Sequence, residues 1–178
     1  VAAAMASESG QIGHVIGGED YTIRANYNAL VAGARSVNPN ATVEQINAGT
    51  FDDPAKGKEI ALSYISQGYD VISASANSAQ IGCLLAAEEK GVYALGFNGD
   101  QYSLAPGAIV LSVMRNYPSI YVDVFESILN GTWKNGMVIY DLGDNGTLVS
   151  DWHGWDEKLP KEKVEAIETF IDDLYAGK

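Results

Sequence analysis

Apolar and polar positions follow two rhythms along this 178-residue chain. Short, largely apolar runs at 12–16, 71–75, 92–97 and 108–113, with the more polar 42–47 among them, predict strands. Stretches of helical periodicity lie between them. Ile23, Tyr27, Leu30, Val31 and Ala34 form a stripe over 21–36, which Asn38-Pro39-Asn40 stops. Asp52-Asp53-Pro54 supplies an acidic cap and a first-turn proline for the next helix. Ile60, Leu62, Tyr64 and Ile65 follow, and Gly68 closes it. A third helix is predicted over 80–90, with Gly91 at its end.

Strand–helix repetition with few hairpin-length connections calls for a parallel sheet with right-handed crossovers. Continuous apolar strands fit a sheet covered on both faces. Up to about residue 113 the chain therefore reads as a doubly wound α/β unit. Beyond it the rhythm changes. A helix is predicted over 118–129, ended by Asn130-Gly131. Strands at 137–141 and 147–150 are joined by Gly143-Asp144-Asn145-Gly146, a hairpin-turn sequence. Trp152-His153-Gly154-Trp155 is irregular, and an amphipathic helix over 162–174 comes after it. The opening Val1-Ala2-Ala3-Ala4-Met5-Ala6 looks like the last turns of a helix.

Charge narrows the partners. Eleven basic residues against 23 acidic ones give −12. Residues 1–111 hold 5 basic and 11 acidic groups, residues 112–178 hold 6 and 12, so each part nets −6. A field of that sign repels phosphate backbones and anionic lipid heads, which argues against nucleic acid and membrane surfaces as partners. No apolar stretch approaches the ~18–20 residues that a membrane span needs.

Catalytic chemistry finds little support. His14 lies inside the first strand and His153 between two tryptophans, where interior and packing roles fit best. No Gly-x-Ser-x-Gly elbow is present. The single Cys83 sits in an apolar run as a small buried hydrophobe; it excludes an internal disulfide and any multi-cysteine metal site. Gly17-Gly18 lacks the surroundings of a phosphate loop, leaving a tight turn or a close ligand approach. No cofactor or metal is implied. A small α/β enzyme would have to use Asp100 and His14 within hydrogen-bond reach of each other.

The carboxyl ends of the strands carry more information, because ligands of open α/β sheets bind there. Glu19, Asp20 and Tyr21 follow the first strand; Ser75, Ala76, Asn77 and Ser78 follow the third. Asn98, Gly99, Asp100 and Gln101 follow the fourth, and Arg115 and Asn116 the fifth. Carboxylate, amide and guanidinium groups on one rim can grip a small hydroxyl-rich ligand. Solvent-facing loops have the same composition.

Several strings resemble the basic membrane protein family, substrate-binding lipoproteins of ABC importers. Phe51-Asp52-Asp53-Pro54-Ala55-Lys56-Gly57-Lys58-Glu59 is similar to its F-x-D-P-A-K-G-K-E segment. Residues 12–18, 32–39 and 96–101 are similar to its I-G-F-V-G-G, A-G-A-x-x-V-N-P and G-V-D-S-D-Q strings, in order and spacing. The resemblance implies one lobe of a two-lobed type I periplasmic-binding-protein fold plus returning segments. Residues 1–11 would be the end of a lobe-one helix and a crossover, 12–111 the ligand-binding lobe, and 112–178 the crossover back, returning helix and strands and C-terminal helix.

The family binds purine nucleosides for uptake, so the resemblance implies a nucleoside or free purine base as ligand, an ABC permease as partner, and an extracytoplasmic, lipid-anchored full-length form. A ligand-sensing regulatory domain of the same fold is the alternative. Asn98 falls where the family has a ribose-binding Asp, Arg115 where it has a Lys, and Ser73 where its third strand has an aromatic. The implied ligand set is Asn98, Asp100, Arg115, Ser75, Ala76, Asn77, Ser78, Glu19, Asp20 and Tyr21. The resemblance also implies a missing lobe-one segment, and hence uncovered apolar surface within 112–178 around Trp152 and Trp155.

Overall fold

Five parallel strands and one antiparallel edge strand make a single sheet, ordered β2-β1-β3-β4-β5-β6 in the computed structural model. The structure describes residues 1–177; Lys178, the end of the third predicted segment, lies outside the described residues. The strands are β1 (Gln11–Ile16), β2 (Thr42–Asn47), β3 (Val71–Ser75), β4 (Tyr93–Asn98), β5 (Ile109–Arg115) and β6 (Thr147–Val149). The helices are α1 (Ala2–Ala6), α2 (Tyr21–Val37), α3 (Pro54–Ser66), α4 (Asn77–Lys90), α5 (Tyr117–Leu129) and α6 (Lys161–Tyr175). The mixed α/β architecture is the one expected, and its order reverses between β1 and β3.

Local signals explain most boundaries. Asp20 and Asp53 each accept the backbone N–H three residues on, at 2.8 and 3.0 Å, and so cap α2 and α3. Gly91 ends α4 in the left-handed region at φ 67°. One sheet face buries Val15, Ile72, Ala74, Ala94 and Ile109 against α3 and α4. The other buries Ile12, Val71, Val110 and Leu111 against α1, α2, α6 and Trp155.

Two glycines let α3 and α4 touch backbone to backbone. A Cβ on Gly57 would strike the carbonyl oxygen of Ala79, and one on Gly82 would strike that of Pro54. Cys83 lies in the same seam, fully buried, its Sγ 3.3 Å from the Gly57 carbonyl oxygen. Burial pushes its thiol pKa up to about 12, so it behaves as the small hydrophobe expected.

Three expectations need correction. First, α4 starts at Asn77, not residue 80, because the chain turns directly off β3 with Ala76 at the cap; residues 77 and 78 are helix rather than loop. Second, 137–141 is not a strand. Its turn forms, with Thr147 N–H bonded to the Asp141 carbonyl at 2.8 Å, but β6 pairs instead with the edge offered by Val113–Arg115 of β5. Third, Trp155 is only 6% exposed, edge-on to Tyr93, and Trp152 is half-buried, donating to Glu168. The exposed apolar surface lies elsewhere, on α5 and at Met137, Val138 and Ile139; α5 has no buried residue, and Phe125 and Leu129 are 66% and 85% exposed.

Replacing Gly82 with Ala should force α3 and α4 apart at Pro54. Overpacking of this kind costs about 1–3 kcal/mol. Urea denaturation should show a lower midpoint with an unchanged slope; an equal midpoint would mean that the seam yields freely.

Candidate functional site

A cavity of about 540 Å³ opens at the carboxyl edge of the sheet, next to the point where the strand order reverses. Ser75 ends β3 and is 7% exposed; Ala76 and Asn77 turn the chain from it into α4. Phe97 and Asn98 end β4, and Arg115 ends β5. Asp20 arrives at the cap of α2, and Tyr117 with the first turn of α5. All of these groups line the cavity.

The local backbone is held in place. Asn77 and Asn98 both have positive φ, 42° and 75°, a conformation that asparagine tolerates better than most residues. The Gln101 side chain accepts the Phe97 N–H at 2.8 Å, and the Gln101 N–H donates to Ser112 Oγ at 3.2 Å, which fixes the loop around Asn98. The Arg115 guanidinium lies 5.3 Å from the centre of the Phe97 ring. Phe51 covers Gly17-Gly18: a Cβ on Gly17 would strike its ring. Those glycines therefore admit an aromatic wall, an answer that the sequence left open.

Not every expected residue reaches the cavity. Ser78, Glu19 and Tyr21 are off its wall. Glu19 lies 3.9 Å from Arg24 on the surface, and Tyr21 is 67% exposed. Asp100 turns away to His153, with Oδ2 and Nε2 2.7 Å apart, while Tyr102 stacks on the His153 ring. Burial works against the Asp100 carboxylate, but the Tyr102 N–H and His153 outweigh it and hold its pKa below the usual range. His14 bonds to Ser73, with Nδ1 and Oγ 3.2 Å apart, so His14 and Asp100 have different partners. The pair that an enzyme would need does not form.

His14 and Ser73 are direct neighbours across β1 and β3. They face a second, apolar cavity of about 270 Å³ over which α2 and α6 lie. Ser73, the position given a pocket aromatic by the resemblance, is thus on this wall and not on the polar one. Sequence reasoning missed Thr22, Ile23, Asn26, Phe51, Phe97, Tyr117 and Ile120, which also line the polar cavity. Phe51 had a signal, since it heads the Asp52-Asp53-Pro54 cap; the others depend on how elements cross.

A parallel α/β lobe with polar strand ends around one cleft is a fold shared with solved solute-binding proteins. An ABC transporter solute-binding protein from Conexibacter woesei aligns over 99% of this chain and 58% of its own, with TM-score 0.75 and 20% identity. Residues 1–170 match the family model described as Bmp, ABC transporter substrate-binding protein PnrA-like, and the chain belongs to that family. A purine-binding protein of Brucella abortus is 30% identical over 93% of this chain and 47% of its own length. A putative ABC transporter glucose-binding protein of Haloferax volcanii is 27% identical over 99% and 46%. The chain thus spans about half the length of these curated relatives.

Burial lowers the His14 pKa from 6.5 to about 4. The fold holds the neutral ring, whereas the unfolded chain takes the proton more readily. Stability is then fully present above pH 6.5 and falls as the pH drops to about 4, by up to ~3 kcal/mol. Urea titrations at pH 7 and 4.5 should show a larger loss for the wild type than for His14→Phe. Parallel losses would refute this role for His14.

Proposed function

We propose that this chain forms the ligand-gripping lobe of an extracytoplasmic substrate-binding protein that delivers a purine nucleoside or purine base to an ABC permease. The observation that carries the reading is the convergence of Asp20, Ser75, Asn77, Asn98 and Arg115 on one cavity wall. They come from separate elements and meet only because the strands are parallel and end together. Phe51, Phe97 and Tyr117 stand beside them, and aromatic faces suit a planar ring while the amides and guanidinium offer hydrogen bonds. The name of the Brucella relative supports a purine; that of the Haloferax relative makes glucose the control. In the full-length protein a second lobe closes over the ligand, a permease receives it, and a lipid anchor holds the assembly at the outer face of the cell membrane.

Thermal unfolding of the chain with inosine, guanosine, adenine, hypoxanthine and glucose tests the ligand. A bound ligand raises stability by mass action, about 2.7 kcal/mol at a hundred times its Kd. The melting point should rise with at least one purine compound and not with glucose, and Asn98→Ala should reduce the rise. A shift with glucose alone would overturn the purine assignment.

A further inference from the structure

We propose that the occupant of the cavity carries an oxyanion, held between Arg115 and the start of α4. This rests on reading the cavity as the ligand site, and it adds the charge of the ligand.

Three helices, α2, α4 and α5, begin at the cavity, and their ends differ. At α2 the chain supplies its own anion, since Asp20 accepts the Ile23 N–H at 2.8 Å. At α4 the cap residue is Ala76, which has no polar side chain to offer. The Ala79 N–H bonds to the Phe51 carbonyl at 3.0 Å, and the Gln80 N–H to the Ala76 carbonyl at 3.3 Å. The N–H groups of Asn77 and Ser78 find no acceptor among the described residues. Unmet N–H dipoles at a helix start favour negative charge.

Ser75 is an independent sign of a ligand there. It is only 7% exposed, it lines both the polar and the apolar cavity, and its hydroxyl has no hydrogen bond to any described residue. Arg115 is the third donor. Its guanidinium lies over Phe97 and makes no ion pair with a described carboxylate. Asn98 presents a neutral amide. Asp20 is the one other charged group on the described wall, and one of its oxygens is engaged in capping. A guanidinium, a hydroxyl and helix-start N–H groups are donors in search of acceptors, the complement of an acceptor-only oxyanion.

The test is calorimetric titration of the chain with three purines at pH 7. Inosine is neutral, inosine 5′-monophosphate carries a phosphate, and urate carries its charge on the ring. At least one anion should bind about tenfold or more tightly than inosine, the size of a charge-assisted contact; which one does so separates a phosphate from a ring oxyanion. Arg115→Gln and Ser75→Ala, checked by melting curves for intact folding, should each shrink that difference. Inosine binding as tightly as both anions, or an anion preference untouched by Arg115→Gln, would overturn the oxyanion while leaving the site reading in place. No binding by any of the three would overturn both.

Discussion

The close seam between α3 and α4 is the constraint on which the site depends. Gly57 and Gly82 let the two helices approach until backbone meets backbone, and nothing larger than hydrogen fits at either position. That approach sets where α4 begins. Because α4 begins there, the Ala79 N–H can reach the Phe51 carbonyl, and Phe51 can lie over Gly17-Gly18. The start of α4 and the aromatic wall of the cavity are thus consequences of helix packing on one face of the sheet. The Asp-Pro-Ala-Lys-Gly string, which carries the strongest family likeness, works through this seam: Asp53 caps α3, Pro54 starts it and Gly57 receives α4.

Parallel strands then place chemistry at one edge. Each crossover returns the chain to the same starting side, so every strand from β1 to β5 delivers its carboxyl end to the same rim. The order reverses between β1 and β3, and the helices leaving those two strands diverge to opposite faces, which opens the crevice. Side chains of no special reactivity become a donor-rich wall by position alone. The two positive-φ asparagines, Asn77 and Asn98, sit where a strand must turn abruptly into the next element, and Gln101 holds the second of them in place. The wall is preorganised, which limits the ordering cost that a ligand must offset.

Much of this was legible in the residues because the signals were local. The five parallel strands, α2, α3 with its Asp cap, and the Gly91 stop are all short-range statements about propensity and capping; the Asp20 cap of α2 is seen in the structure alone. What failed was decided at a distance. The 137–141 run has strand composition, but it makes no ladder with β6, which pairs with β5 alone and leaves its outer edge open. Uncovered surface around Trp155 is expected from a missing lobe-one segment, but Tyr93 and α6 of this chain cover it. Asp100 belonged to the same polar string as Asn98, but two residues along an irregular turn are enough to point it at His153. Asn98 and Arg115 line the cavity because a strand end constrains direction; Glu19 and Tyr21 lie off it because the first residues after a strand do not share that constraint. Phe97 and Tyr117 are not legible as cavity residues because aromatic side chains in a strand and a helix read as core.

The exposed apolar face of α5 bears on the cavity as well. Tyr121, Val122, Phe125 and Leu129 are more than half exposed on a helix with no buried residue, the kind of apolar surface that often meets a partner. Tyr117 and Ile120 belong both to this helix and to the cavity wall. The helix begins one residue after β5, so its orientation is tied to Arg115 through Asn116, which caps it. Under the proposed function a lobe that covers α5 also meets the mouth of the cavity, and a ligand held by Arg115 touches the element that the lobe grips. Ligand capture and lobe closure then share one short connection, a mechanical reason for binding to favour the closed form without any long-range pathway.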